Sequence, residues 1–226
     1  MNLETHYNQL YQHAIHEIGL NRYELDALMD DPHDKRYGIT LLLRPNAETN
    51  ERIQRFVEEL RRIEPHQYYY PTSDTHVTVL SIISCYTGFN LSQIKLEDYV
   101  AVIRDSLQTS SPFAIQFKGI TASPSCLMIQ GFPENEALEH LRDNVRQTVK
   151  ASHLQQSIDQ RYAIHTAHAT ICRFRAPLTH TAELLQLLES YRAYDFGTCT
   201  IDHIDLVYND WYQRQGKVIE LARFEI

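Results

Sequence analysis

Glycine is scarce in this chain, at 7 of 226 residues, and no GxGxxG or GxxxxGK(S/T) run occurs. That excludes the two commonest backbone cradles for nucleotide phosphates, the dinucleotide-binding turn and the P-loop. The four cysteines, Cys85, Cys126, Cys172 and Cys199, lie far apart without CxxC spacing. Three sit in apolar runs and read as buried thiols in a reducing compartment, so a cytoplasmic protein is expected. No apolar run approaches the roughly 20 residues of a membrane helix. The opening MNLETHYNQLYQHAI lacks a basic segment followed by an apolar one, so no signal peptide is expected. HEIGL at His16 is not HExxH. Positive charge is also short: 21 Lys and Arg against 29 Asp and Glu give −8 with His neutral. Domains that hold long nucleic acid by neutralising phosphates are usually basic, so a long nucleic acid is not an expected partner. A small anion in a local basic pocket remains compatible.

What is present is an ordinary globular composition, 43% hydrophobic and 22% charged, long enough for one large domain or two small lobes sharing a core. Residues 1–36 stand apart as a helical extension. Leu3, Tyr7, Leu10, Tyr11, Ala14, Ile15 and Ile18 keep helical spacing, a second short helix is predicted at RYELDALM, and DDPHDK reads as a loop. From residue 37 the order of elements repeats. Strand 37–43, helix 47–63 capped by Asn46, strand 76–83, helix 96–108 and strand 112–119 form one unit. Strand 125–131, helix 134–150, strand 167–174, helix 180–191 and strand 199–208 form the second, and a strand at about 217–225 closes the sheet. The third element of each unit carries the same polar pair: HVTVL at His76–Leu80 and HATIC at His168–Cys172.

Chance alone gives about one His-x-Thr in a chain with 12 His and 16 Thr, so the weight lies in the shared context. Side chains at i and i+2 share one face of a strand. His76 therefore stands beside Thr78 and His168 beside Thr170, and a pseudo-twofold would gather all four in one cleft. Phosphodiester hydrolysis needs a base for the attacking water and an acid for the leaving oxygen. Imidazole serves either role near neutrality, and two hydroxyls are placed to donate to the non-bridging oxygens. No step of this chemistry calls for a metal or other cofactor.

With these motifs, their spacing and the duplicated α/β unit, residues 37–226 resemble the 2H phosphoesterase superfamily. That superfamily includes the bacterial 2′-5′ RNA ligase-like proteins and the 2′,3′-cyclic phosphodiesterases. The resemblance implies a bilobal, LigT-like α+β fold, with units at about 37–120 and 125–226 around a central cleft. It implies His76 and His168 as the acid/base pair and Thr78 and Thr170 as phosphate ligands. The net charge of −8 points to a small nucleotide or an oligonucleotide end as substrate, and a soluble monomer is expected. Many second motifs in the superfamily continue as HxTxxR, and HATICR supplies Arg173 for the phosphate. Strict alternation puts Arg173 on the face opposite His168, so a bulge or a strand end must intervene. Ser81 occupies the matching offset after the first motif, and the run HVTVLSIISCYTGF departs from the aromatic-rich run commoner there.

Two other readings stay open: a nucleotide-binding module of the same fold without turnover, and a His-pair proton-transfer enzyme such as a sugar mutarotase. YYYP at Tyr68–Pro71 and LVYNDWYQR offer Tyr70, Tyr208 and Trp211 as base-stacking candidates, or as rings covering a core edge. His165 and His168 form an HxxH without a Cys or carboxylate to complete a zinc set, so no metal is expected. The apolar stripe Leu138, Leu141, Val145 and Val149 reads as core.

Overall fold

The computed structural model describes residues 2–161 and 163–226. It is an α+β fold whose nine strands form one entirely antiparallel sheet. The chain opens with α1 (Leu3–Gly19), capped by the Asn2 side chain, then β1 (Arg36–Leu43) and α2 (Ala47–Ile63). The α2 cap is Asn46, whose side chain accepts from the Thr49 N–H at 2.9 Å. A two-residue β2 (Tyr68–Tyr69) precedes β3 (Val77–Thr87), α3 (Leu96–Ser106) and β4 (Phe113–Ser123). The second unit runs through β5 (Cys126–Pro133), α4 (Ala137–Ala151), β6 (Ala169–Arg173) and α5 (Thr181–Ser190). It ends in β7 (Asp195–Ile201), β8 (His203–Asp210) and β9 (Ile219–Glu225).

The sheet order β7-β4-β5-β6-β3-β1-β8-β9 puts the two motif strands, β6 and β3, side by side at its centre, with β2 pairing β6 off this path. Each sequence unit gives its last strands to the other half of the sheet. β4 closes the first unit yet pairs β5 and β7, while β8 belongs to the second and pairs β1. One continuous core runs across both halves, from Leu41 and Phe56 to Phe117 and Ile129. Among the described residues no helix is long and apolar enough to cross a membrane.

Two expectations are corrected. RYELDALM is not a helix but an extended and turning segment. Its backbone is satisfied by tertiary partners: Glu24 N–H donates to Pro124 O and Asp26 N–H to Phe174 O, both at 2.8 Å. The strand expected at 199–208 is two strands, because the chain leaves β4 and joins β1 at Asp202 without a Gly or Pro to mark the change.

Helix α1 is integral to this architecture, with Tyr7, Tyr11, Ala14 and Ile18 buried. The Tyr7 hydroxyl donates to Gly131 O at 3.2 Å and accepts from Ala167 N–H at 3.1 Å. The strand and this segment cross so tightly that a Cβ on Gly131 would lie 2.0 Å from Ala167 O. Tyr7→Phe keeps the ring but leaves the buried Ala167 N–H unpaired, so it is expected to cost about 1–3 kcal/mol in urea unfolding. An unchanged midpoint would show that the phenolic oxygen is dispensable.

Candidate functional site

The motif strands touch at a single register pair, Val77 opposite Ala169, the residues directly after the two histidines. Beyond that pair β3 turns to β1 and β6 to β5, and the divergence opens a cavity of about 150 Å³. His76, Thr78, His168 and Thr170 all line it, as do Arg173 and Ser81.

Arg173 and Ser81 reach the cavity through bulges. Along β6, Thr170 pairs Met128 and Cys172 pairs Leu127, so Ile171 is an extra residue that shifts the alternation by one. Arg173 returns to the face of Thr170. Along β3, extra residues interrupt the pairing with β1 in the same way, and Thr78, Ser81 and Ser84 all face the cavity. The two HxTxx(R/S) runs are thus equivalent in three dimensions, with a guanidinium on one side and a hydroxyl on the other.

Each imidazole is anchored through Nδ1, which leaves Nε2 for the cavity. His76 Nδ1 lies 2.7 Å from Asp74 O. A carbonyl only accepts, so that nitrogen carries the proton in either charge state. Asp74 is itself fixed, accepting from Ser73 Oγ at 2.8 Å and Gln215 N–H at 3.0 Å. His168 Nδ1 lies 2.7 Å from the Thr166 hydroxyl, a partner able to donate or accept. Each ring keeps one edge on the cleft while protein encloses the rest. Desolvation pushes His76 down to about 4, opposed by the Asp74 carbonyl and aided by Arg44 and Arg173. Desolvation likewise pushes His168 down to about 4, with His76, Arg142, Arg173 and His6 adding to it. At these values both rings are neutral at pH 7. An anion between them acts in the opposite sense and raises both.

Arg173 is positioned by its neighbours. Its Nε donates to Tyr70 Oη at 3.0 Å, its Nη1 lies 3.5 Å from Asp26 Oδ2, and its guanidinium carbon stands 5.5 Å from the centre of the Tyr212 ring. Burial works against the charge, but the Tyr70 oxygen and Asp26 outweigh it and hold the guanidinium above its ordinary value. The stacking candidates separate. Tyr70 is 1% exposed, so its ring offers no open face and its hydroxyl serves Arg173. Tyr208 stacks on Tyr37 with ring centres 4.9 Å apart, away from the residues that line the cavity. Trp211 does line it, with the guanidinium carbons of Arg36 and Arg161 4.7 and 4.6 Å from its ring centre. His165 is exposed and stands apart from the cavity, and among the described residues no group of three or more His, Cys, Asp or Glu gathers to hold a metal.

One residue that the sequence reading missed ties both motif strands together. The buried Arg142 of α4 donates from Nε to Val79 O at 2.9 Å and from Nη2 to Thr78 O at 2.9 Å and Thr166 O at 2.8 Å. Desolvation lowers it to about 10, which still leaves it cationic at neutrality. Its signal was a charge standing on the apolar stripe of its own helix, between Leu138 and Leu141 on one side and Val145 on the other.

The family model described as the 2′-5′ RNA ligase superfamily matches residues 49–212. No curated protein sequence matches the chain. Among solved structures, E. coli LigT complexed with 3′-AMP aligns at TM-score 0.57 and 12% identity, over 84% of this chain and 98% of that one. The same E. coli protein complexed with NADP+ aligns at 0.54 and 13%, over 85% and 98%. A protein of Thermus thermophilus aligns at 0.56 and 16%, over 84% and 97%. At these identities the likeness is one of fold.

Two predictions arise from the geometry. Both imidazoles titrate lower in the folded chain than the ~6.5 of an unfolded one, so below that pH the folded state binds fewer protons than the unfolded state. Stability is therefore expected to fall as pH drops from about 6.5 towards 4 in anion-free buffer. His76→Gln and His168→Gln should each flatten that limb in thermal melts. An equally steep limb in both variants would contradict the neutral pair. For Arg142→Lys, one ammonium cannot serve three carbonyls on β3 and on the segment leading into β6, so a loss of about 1–3 kcal/mol is expected in urea unfolding. The exposed Arg62→Lys should be neutral, and equal effects for the two would remove the bridge from the account.

Proposed function

The chain belongs to the 2′-5′ RNA ligase superfamily, and from that premise we propose that it is a metal-independent phosphodiesterase acting on a small cyclic or 2′-5′ nucleotide phosphodiester. The observation that carries this reading is one cavity lined by two imidazoles, two hydroxyls and a guanidinium. The phosphate enters between His76 and His168. One imidazole takes a proton from water as the water oxygen attacks phosphorus, and the other, protonated, gives its proton to the departing ribose oxygen. Thr78, Thr170 and Arg173 donate to the non-bridging oxygens, whose charge is then met by dipoles already in place. The product is a phosphate monoester.

The low imidazole values fit this cycle once the substrate is counted. A cleft with two neutral rings holds no acid. The entering phosphate diester brings the negative charge that raises the ring beside the leaving oxygen, and the other stays neutral as base. Binding and proton uptake are thereby coupled. Small nucleotides suit a chain of charge −8 with Arg161 and Arg173 lining a confined cavity, and 3′-AMP and NADP+ are the ligands of the E. coli relative.

The test is steady-state kinetics on a 2′,3′-cyclic nucleotide. His76→Ala and His168→Ala are each expected to lower turnover by about 10²–10⁴, the usual worth of one acid or base. The double variant should lose far less than the product of the two, because the groups act as a unit. The rate should follow a bell in pH, and EDTA should leave it unchanged. Near-full turnover by His168→Ala, or a loss in EDTA restored by zinc or manganese, would sink this mechanism.

A further inference from the structure

The phosphodiester chemistry leaves one wall of the cavity unused. That wall is built from the segment between α4 and β6 and from the end of β8: Asp159, Arg161, Trp211 and Gln213 all line it. The segment is stapled at two points before Arg161. Ser157 accepts from Ser84 N–H at 2.7 Å and donates its own N–H to Ile82 O at 2.9 Å. Asp159 accepts from Arg146 Nε at 2.7 Å and Lys150 Nζ at 3.1 Å. The wall is therefore a formed surface, and its carboxylate is already neutralised by two cations.

The donors on this wall are unspent. Among the described residues, the exposed Arg161 makes no ion pair and no hydrogen bond, the Trp211 indole N–H has no partner, and Gln213 leaves its side-chain Oε1 without a donor. The Arg161 guanidinium stands over the Trp211 ring at 4.6 Å, whereas Arg36, at 4.7 Å from the same ring, is committed to Asp34 at 2.8 Å. Gln213 is 5% exposed and held at φ 61°, a left-handed conformation that a glutamine adopts only when its surroundings impose it. The orphan atom is its side-chain Oε1, which accepts, so it calls for a hydroxyl or amino group of a ligand rather than for a phosphate. Five guanidinium N–H groups and an indole N–H together want an acceptor, and the free cation wants it negative. The reacting phosphate already has Thr78, Thr170 and Arg173.

We propose that Arg161, with Trp211, forms a second anion subsite, which takes a further phosphate of a nucleotide substrate apart from the one that reacts. The identity of the ligand as a nucleotide rests on the reading above, while the subsite itself rests on this wall. The substrate class is narrowed accordingly: a nucleotide carrying a 5′-phosphate, or an oligonucleotide end with a phosphate on its upstream side, is preferred to a bare nucleoside cyclic phosphate.

Trp211 is the only tryptophan of the chain, so its emission reports occupancy. The full chain is titrated with adenosine 2′-phosphate and with adenosine 2′,5′-bisphosphate, for wild type and Arg161→Gln, with thermal melts confirming that the variant is folded. Wild type is expected to bind the bisphosphate about 10–100-fold tighter, as a charge-assisted contact with one phosphate provides. In Arg161→Gln that ratio should fall to about threefold or less. Equal binding of the two probes by wild type, binding of neither, or a ratio that survives in the variant would overturn the subsite. Turnover of a 2′,3′-cyclic nucleotide is measured separately. A chain that keeps the ratio without turnover loses the hydrolytic reading and retains the subsite.

Discussion

The buried guanidinium of Arg142 is the constraint on which the site depends. The halves of the sheet meet at one register pair, Val77 with Ala169, and beyond it the strands part. A cleft needs that parting, and a fixed separation of two imidazoles needs something to limit it. Arg142 does so by donating to Thr78 O and Val79 O on one side and Thr166 O on the other. Burying a cation costs several kcal/mol before compensation, roughly what well-placed acceptors in a dry interior return. The result is a rigid link between the two motif strands and, through the field of the same cation, part of the depression of His168.

Much of the site was legible from residue type and order alone. Two His-x-Thr pairs in the third element of a repeated unit were enough to place four side chains in one cleft. Alternation failed where the strands bulge. Ile171 displaces Arg173 into the cavity, and the extra residues of β3 bring in Ser81 and Ser84, because a bulge is a property of pairing and leaves no periodic trace in one strand. The 22–29 segment read as a helix, but its backbone found Pro124 and Phe174 instead. Arg142 was overlooked because its helix already explained itself as core. A lone charge on an apolar stripe asks which carbonyls it serves, and here the answer was the heart of the site.

Electrostatics divide the molecule into two regimes. The exterior is acidic and carries many exposed ion pairs of the Glu48–Arg52 kind, which contribute little each. Inside the cleft the rule reverses: neutral imidazoles, donors in excess, and an Arg173 held by oxygen partners on its outer side. Arg173 leans on Tyr70 and Asp26, so its charge is supported from behind and presented forwards. The N-terminal segment, which lies before the matched family region, supplies that Asp26. It also supplies Tyr7 beneath the chain leading to His168.

The crossing of β4 and β8 between the halves has a consequence for synthesis on the ribosome. β1 lies between β3 and β8, and Leu41 meets Leu206 about 165 residues downstream. At roughly 5–20 residues per second, the β8-facing edge of β1 waits on the order of 10–30 s for its partner. During that interval a nascent chain carrying the run ITLLL presents unpaired backbone and apolar side chains. The half β7-β4-β5-β6 is complete at Ile201, whereas the half that holds β1 waits for β8 and β9. The native sheet is therefore complete only once nearly all of the polypeptide has emerged, and until then one edge of β1 stays open to intermolecular pairing.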